Sequence, residues 1–269
     1  MTAPNNHDGE KRRILVAEDV EMNQHLARHM IESWGFEVDI AGNGREALVL
    51  VQQNHYDLVL MDIHMPEMDG LEATQQIRLL TDPLKASIPI VALTANALKG
   101  DRERFLAAGM NDYLPKPINE PHLHRIITDN LTNLTNMITT DQDQRQHILP
   151  SKTDDADKLY NLSLVYGIAG GDESFVKRML QLFLDTMPLT LQEMQKETTL
   201  QNWAQVGKLA HKLKSTIDSM GISTLKDTIR QIEQNGKKGE GTEQLPAQVN
   251  LVESILQSCA VQVKKDFSL

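Results

Sequence analysis

The 269-residue sequence contains a single cysteine and few aromatic residues, and it lacks any long apolar run. The lone Cys259 excludes an internal disulfide, and its position in an apolar helical pattern predicts a buried thiol. No segment has the roughly 20 consecutive apolar residues of a membrane-spanning helix. The first residues also lack the apolar core of a signal peptide. The sequence therefore predicts a soluble, cytoplasmic protein without membrane insertion.

Basic residues are also scarce, since 27 Lys and Arg face 37 Asp and Glu and the net charge is −10. A nucleic-acid-binding surface needs clustered Lys and Arg, so this class of function is excluded. The hydrophobic content of 40% and the charged content of 24% are those of an ordinary globular protein. The length is sufficient for two domains with separate cores.

The first half of the chain alternates between apolar, β-favouring runs and helical periodicity. Residues 1–11 are polar and predict a disordered tail. Strands are predicted at 14–17, 36–41, 58–61, 88–93 and 112–114, and helices at 22–34, 44–53, 71–80, 97–108 and 120–131. Five strands alternating with five helices predict a doubly wound, parallel α/β sheet over residues 12–132.

The second half carries helical signals alone. Residues 133–157 are rich in Thr, Asn, Asp and Gln and predict a flexible linker. Helices are predicted at 159–169, 172–198, 201–219, 222–234 and 243–267, with Asp172 as an N-cap and Pro188 as the cause of a bend. This pattern predicts an all-α, four-helix-bundle domain over residues 158–269.

Chemically distinctive residues follow four of the predicted strands: Glu18 and Asp19 the first, Asp62 the third, Thr94 the fourth and Lys116 the fifth. The carboxyl ends of parallel strands meet at one edge of a sheet, so these side chains should converge. Three neighbouring carboxylates repel one another and are best tolerated around a cation, for which Mg²⁺ is suited by all-oxygen ligation. The lysine and the threonine would add donors for phosphoryl oxygens, leaving one carboxylate to attack phosphorus.

The stretches that carry these residues, ILVAEDVEMNQ, DLVLMDIHMPEMDG, IPIVALTANA and YLPKP, resemble the response-regulator receiver family over residues 12–132. The resemblance implies a flavodoxin-like fold in which Asp62 is the phospho-acceptor. It implies that Asp19 ligates Mg²⁺ directly, that Glu18 acts through water, and that the backbone carbonyl of His64 is a further ligand. Glu18 stands where the family more often has Asp.

The same resemblance implies roles for residues around the acceptor. Lys116 would pair with the phosphoryl group, and its bond to Pro117 would be cis. Thr94 would hydrogen-bond the phosphate, and Tyr113 would be the aromatic switch that reports this movement. The variable positions His64 and Asn96 would tune the lifetime of the acyl phosphate.

A second candidate nucleophile, His211, lies beside an apolar stripe in the stretch AHKLKSTIDSMG. The stripe comprises Trp203, Val206, Ala210, Leu213, Ile217 and Met220. The small neighbours Gly207 and Ser215 predict an imidazole that is accessible from outside, and Lys214 shares its helix face. A neutral imidazole nitrogen is a good nucleophile toward phosphorus, and nearby cations stabilise the transferred charge.

The pattern His-x-x-Lys followed by Gly221, with LVYGIAGGDESFVKRMLQLFL and WAQVGKLAH before it, resembles the histidine-containing phosphotransfer (HPt) family over residues 158–266. The resemblance implies that His211 is phosphorylated and that Lys214 assists phosphoryl binding. Ser215 replaces the glycine that the family usually has after this lysine. Receiver and HPt together resemble the C-terminal modules of hybrid sensor kinases.

The predicted function is that of a phosphotransfer intermediate in a two-component phosphorelay, with a sensor histidine kinase or other receiver domains as partners. Such a receiver catalyses its own phosphorylation and dephosphorylation and is not a metabolic enzyme. Two alternatives stay open: a non-catalytic docking module, and an Mg²⁺-dependent phosphatase of the haloacid dehalogenase type. That phosphatase class places Asp-x-Asp after its first strand, where this chain has Glu18-Asp19. Direction of transfer, exchange within one chain and oligomeric state are left open.

Overall fold

The computed structural model describes residues 11–94, 101–132 and 158–269. The chain forms two compact units, Met1–His147 and Ile148–Leu269. The predicted linker at 133–157, Asn96 and nearly all of the predicted N-terminal tail lie outside the described residues, as does the start of the helix predicted at 97–108.

The first unit contains a five-stranded, fully parallel sheet in the order β2-β1-β3-β4-β5, which confirms the predicted doubly wound fold. Its strands are β1 (Arg13–Ala17), β2 (Glu37–Ala41), β3 (Leu58–Asp62), β4 (Ile90–Thr94) and β5 (Asp112–Pro115). Its helices are α1 (Glu21–Ser33), α2 (Gly44–Gln53), α3 (Gly70–Arg78), α4 (Pro83–Ala86), α5 (Asp101–Ala107) and α6 (Glu120–Thr132).

Strands β3 and β4, both in the interior of the sheet, are buried along their whole length, as expected for a parallel sheet covered on both faces. In the β3–β4 ladder Asp62 lies opposite Leu93, so the carboxyl ends of both strands reach the same edge. The prediction placed the start of β4 two residues too early. Pro89 lacks a backbone N–H for the ladder, and the strand begins at Ile90.

The short helix α4 was not predicted from the sequence. Asp82 caps it by accepting a hydrogen bond from the Leu84 N–H at 2.9 Å, and Pro83 occupies its first position. Four residues are too few for helical periodicity to be visible, so the cap and the proline were the available signals.

Arg78, the last residue of α3, links four segments at the amino edge of the sheet. Its Nε donates to the Gly109 carbonyl at 2.8 Å, and Nη1 donates to the carbonyls of Ala86 and Ile88, each at 2.9 Å. Nη2 donates to Asn111 Oδ1 at 3.0 Å. One guanidinium therefore donates hydrogen bonds to three backbone carbonyls that lie outside the strands of the sheet.

The second unit is all-helical, as predicted. It consists of α7 (Ser163–Ala169), α8 (Glu173–Thr199), α9 (Trp203–Ser219), α10 (Lys226–Lys238) and α11 (Leu245–Phe267), with 3-10 turns at Ser223–Leu225 and Thr242–Gln244. The predicted cap is confirmed, because Asp172 Oδ1 accepts from the Phe175 N–H at 3.0 Å. Helix α8 continues through Pro188. The helix predicted at 222–234 is instead a 3-10 turn followed by α10, which ends at the left-handed Gly239 (φ 69°).

The single cysteine lies in the core of this unit, which confirms the predicted buried thiol. Burial raises the pKa of Cys259 to about 12, so the thiol is protonated and unreactive at neutral pH. Among the described residues, no helix combines the length and the apolar composition that crossing a membrane requires.

We expect Arg78→Met to lower the free energy of unfolding of the first unit by about 2–3 kcal/mol, because three backbone carbonyls lose their charged donor. The measurement is hydrogen exchange of the β4 and β5 amides in the full-length chain. The control is Arg28→Met, which removes a surface pair with Glu32 at 3.6 Å and should cost about 0.3–0.5 kcal/mol. Equal effects of the two substitutions would contradict the linking role of Arg78.

Candidate functional site

The structure brings the predicted carboxylates together at the carboxyl edge of the sheet. Asp62 ends β3 and Thr94 ends β4, while Glu18 and Asp19 follow β1. One carboxylate oxygen from each of Glu18, Asp19 and Asp62 lies within 4.8 Å of the other two. Glu18, Asp62 and Thr94 are all buried. The topological argument from strand ends is therefore correct for these side chains.

Lys116, which follows β5, bridges two of the acids. Its Nζ lies 2.5 Å from Glu18 Oε2 and 2.6 Å from Asp62 Oδ2. Burial disfavours the ammonium, but the two carboxylates outweigh this and raise the pKa of Lys116 above its ordinary value. Burial raises the pKa of Glu18, and the neighbouring ammonium offsets that only in part. The peptide bond from Lys116 to Pro117 is cis, as the resemblance implied.

Glu18 is fixed by a residue that the sequence reasoning missed. Its Oε1 accepts from Asn23 Nδ2 at 2.9 Å and from the Val20 N–H at 3.2 Å. Asn23 lies on the buried face of the first turn of α1. A polar residue at a core-facing helical position, five residues after an acid, was the available signal.

The loop after β3 contacts the carboxylate of Asp62. Asp62 Oδ1 accepts from the His64 N–H at 3.2 Å. Asp69 caps α3 by accepting from the Glu72 N–H at 2.8 Å. A Cβ at Gly70 would lie 2.1 Å from the Asp62 carbonyl oxygen, so only glycine permits this approach. Asp69 is thus the N-cap of α3, and Gly70 is the first residue of this helix.

The donor chemistry of this cluster is compatible with Mg²⁺. All three side chains offer carboxylate oxygens, which are the ligands that this ion prefers.

The half-buried Tyr113 lies within β5, and its ring centroid is 6.2 Å from that of Phe105. Its position in β5 next to β4 brings it near the same edge as Thr94.

In the second unit His211 contacts an acid on the neighbouring helix. Its Nδ1 lies 2.6 Å from Glu233 Oε1. The prediction that His211 sits at an exposed edge is wrong, since only 11% of its side chain is accessible. Helix α10 covers the ring, because Gly207 presents no side chain and allows the backbone of α10 to approach α9 closely. The small residue at 207 makes room for a helix and does not open the site.

Two lysines also form ion pairs with Glu233. Lys214 Nζ lies 2.5 Å from Oε2, and Lys237 Nζ lies 2.7 Å from Oε1. Burial would raise the pKa of Glu233, but hydrogen bonds from His211, Lys214 and Lys237 outweigh it and hold this pKa well below its ordinary range. Sequence reasoning missed Glu233 and Lys237. The signal was an acid on the buried face of α10, beside Ile229, Ile232 and Gly236.

Comparison with known protein families identifies both units. The family model of the response regulator receiver domain matches residues 14–128, and that of the Hpt domain matches residues 178–262. Each match includes the carboxylate cluster or the histidine described above.

Two curated relatives match across both units. The signal transduction histidine-protein kinase BarA of Escherichia coli K12 is 30% identical over 234 residues, which is 86% of this chain and 25% of BarA. The aerobic respiration control sensor protein ArcB of the same organism is 31% identical over 223 residues, covering 82% of this chain and 27% of ArcB. This chain therefore spans about a quarter of the length of these relatives.

Among solved structures, the receiver domain of sensor histidine kinase PA1611 from Pseudomonas aeruginosa PAO1, with a magnesium ion in its active-site cleft, is 41% identical. It covers 45% of this chain and 98% of its own, with a TM-score of 0.42. The family matches decide the identification. The chain contains a response regulator receiver domain followed by an Hpt domain, a pairing that supports a role in a two-component phosphorelay.

Proposed function

We propose that Asp62 accepts a phosphoryl group from a phosphohistidine and that His211 exchanges phosphoryl groups with an aspartate of a receiver domain. One observation carries the receiver half of this proposal. The buried carboxylate of Asp62 lies 2.6 Å from an ammonium and within 4.8 Å of two further acids. This arrangement pairs a nucleophile with groups that neutralise phosphoryl charge.

At Asp62 a carboxylate oxygen forms a bond to phosphorus while the bond from phosphorus to the donor imidazole breaks. The donor nitrogen keeps the electron pair, and an acyl phosphate results. Asp19, Asp62 and the His64 carbonyl would hold Mg²⁺, with Glu18 acting through water because its oxygens already accept from Asn23, Val20 and Lys116. The ion supplies positive charge that neutralises the transferred group.

Lys116 then exchanges its contact with the Asp62 carboxylate for one with the phosphoryl oxygens. Thr94 donates its hydroxyl to the same oxygens from the end of β4. Tyr113, on the adjacent strand, follows the movement of Thr94 and changes rotamer. These roles are supported by the positions of Thr94 at the end of β4, Lys116 directly after β5, and Tyr113 on β5 beside β4.

At His211 the contact with Glu233 selects the reactive nitrogen. An ionised carboxylate only accepts hydrogen bonds, so Nδ1 carries the proton and donates it to Glu233 Oε1. The lone pair is then on Nε2, which forms the bond to phosphorus while the acyl P–O bond of the donor aspartate breaks. Positive charge that develops on the ring is stabilised by Glu233. The Lys214 ammonium assists by neutralising phosphoryl charge.

We assign residues 12–132 to the receiver, 133–157 to a linker and 158–269 to the Hpt domain. The chain acts as a phosphotransfer intermediate, and the receiver catalyses its own phosphorylation and dephosphorylation by positioning together with the charges of Mg²⁺ and Lys116. Its partners are a sensor histidine kinase, other receiver domains, or both. We also propose a cytoplasmic location, because a kinase partner forms its phosphohistidine from ATP, which is available in the cytoplasm.

We expect a small phosphodonor plus Mg²⁺ to add one phosphoryl group to Asp62, detected by intact mass. Asp62→Asn and chelation of Mg²⁺ should each lower this base-labile adduct roughly 100-fold or more, because the nucleophile or several kcal/mol of charge stabilisation is lost. Asp57→Asn is the matched control. Asp57 accepts from the Arg13 N–H at the opposite end of β3, and an amide oxygen preserves that bond.

A second, acid-labile adduct should appear on His211 and vanish in His211→Gln. Label on Asp62 that never reaches His211 points to separate partners for the two sites. Absence of any Mg²⁺-dependent adduct, with both a small donor and a phosphorylated histidine kinase, would refute the relay and leave the docking module.

We also expect the stability of the Hpt unit to fall as the pH drops below about 4.5, the ordinary pKa of Glu. The folded-state pKa of Glu233 is lowered, so its stabilisation is complete above the unfolded pKa and is lost during acidification toward the folded pKa. The loss should be on the order of 2 kcal/mol. Hydrogen exchange of α9 and α10 amides, corrected for intrinsic pH dependence, measures it.

Glu233→Gln should flatten this dependence while leaving that of the receiver unit unchanged. The matched control is Glu243→Gln, which removes a carboxylate from the 3-10 turn that precedes α11 in the same unit. If the Glu233→Gln variant retains the full acid sensitivity, the ionised state assigned to Glu233 is wrong.

A further inference from the structure

Helices α9 and α10 touch backbone to backbone at two glycines. A Cβ at Gly236 would lie 2.6 Å from the Trp203 carbonyl oxygen and 2.7 Å from the Gly207 nitrogen. A Cβ at Gly207 would lie 3.0 Å from the Lys237 nitrogen and 3.2 Å from the Glu233 carbonyl oxygen. The neighbouring atoms are all backbone and cannot rotate away, so a side chain fits here only if the two helices move apart.

The histidine and its acid occupy the next turn of the same crossing. His211 follows Gly207 by four residues on α9, and Glu233 precedes Gly236 by three residues on α10. The glycine contact and the 2.6 Å contact between His211 Nδ1 and Glu233 Oε1 are therefore adjacent links between one pair of helices.

We infer that Gly207 and Gly236 are positioning residues of the phosphotransfer site. They set the separation of α9 and α10 at which Glu233 holds the proton on Nδ1 of His211, and they do so without touching the phosphoryl group. The inference rests on the proposed function of His211 as phospho-acceptor, and it names residues that neither the His-x-x-Lys pattern nor the acid itself identifies.

The His211–Glu233 contact is the one most sensitive to helix separation. Both side chains are short and enclosed, and a hydrogen bond weakens steeply beyond about 3.2 Å. Lys214 reaches the same carboxylate from α9 with a long, flexible stem that can follow a small displacement. Lys237 lies on α10 four residues after Glu233, so its contact does not depend on the helix separation. A methyl group inserted at the crossing therefore breaks the histidine contact first, and it leaves the ion pairs in place.

Loss of that contact changes the reactivity of the ring. Without the carboxylate acceptor, the proton can occupy Nε2, and in that tautomer Nε2 has no lone pair for phosphorus. The fraction of His211 in the reactive tautomer falls, and phosphorylation slows. If the glycines served packing alone, substitution would lower stability and leave the reactivity of the folded protein unchanged.

The test compares Gly207→Ala with Gly167→Ala in the full-length chain carrying Asp62→Asn, so that label reports His211 alone. Gly207 is preferred to Gly236 because its tightest contact, 3.0 Å, requires a smaller displacement than 2.6 Å. Gly167 lies in α7 of the same unit, and a Cβ there meets no atom within 4 Å. The phosphodonor is phosphoramidate, at a temperature where both variants are fully folded by circular dichroism.

We expect Gly207→Ala to lower the rate of phosphohistidine formation about tenfold, as expected for a misplacement of catalytic geometry well below 1 Å. The Nδ1 proton resonance, assigned by its absence in His211→Gln, should be lost or should exchange rapidly with water. Gly167→Ala should keep the rate of phosphohistidine formation within about twofold of that of the parent protein, since it changes nothing at the crossing. It should also retain the Nδ1 proton resonance.

A double-mutant cycle separates positioning from general destabilisation. In a Glu233→Ala background, where no carboxylate remains to be positioned, Gly207→Ala should change the rate by less than about twofold. An equal tenfold loss in that background overturns the inference, as does an unchanged rate and Nδ1 resonance in the single variant.

If the parent protein takes no phosphoryl label on His211, the proposed function fails. The Nδ1 resonance then still decides whether Gly207 positions the His211–Glu233 pair.

Discussion

Buried charge must be paired, and this constraint governs both units of the chain. In the receiver, Lys116 lies between Glu18 and Asp62; in the Hpt domain, Glu233 lies between His211 and two lysines. Removing a carboxylate or an ammonium from water is strongly unfavourable unless a partner of opposite charge stands within hydrogen-bond distance. Each cluster is therefore held in one geometry, with its acidic groups in direct contact with nitrogen atoms of lysine or histidine.

The two units reach this arrangement by different structural means. The receiver uses topology, since parallel strands bring Glu18, Asp62 and Lys116 to one edge although up to 98 residues separate them. The Hpt domain uses helix packing, in which two glycines let α9 and α10 approach until an acid on one helix contacts a histidine on the other. In both cases the backbone holds the charged groups together, so their side chains keep little conformational freedom in the folded protein.

Most of the receiver site could be predicted because its residues follow strand ends, and strand ends are readable from short apolar runs. The errors were local. Helix α4 is too short for periodicity, and Pro89 delays the start of β4. Asn23 escaped notice because a polar residue on a helix is ordinarily solvent-facing, and only the packed structure shows that it contacts Glu18.

The sequence by itself determined the alternation of strands and helices, the convergence of Glu18, Asp19, Asp62 and Lys116, and the helical context of His211. These follow from periodicity and from the order of elements, which are local properties of the chain. Only the tertiary structure decided that His211 is enclosed and that Glu233 and Lys237 join it. The separation of two helices depends on which residues meet at their crossing, and helical periodicity on each helix alone does not specify that pairing.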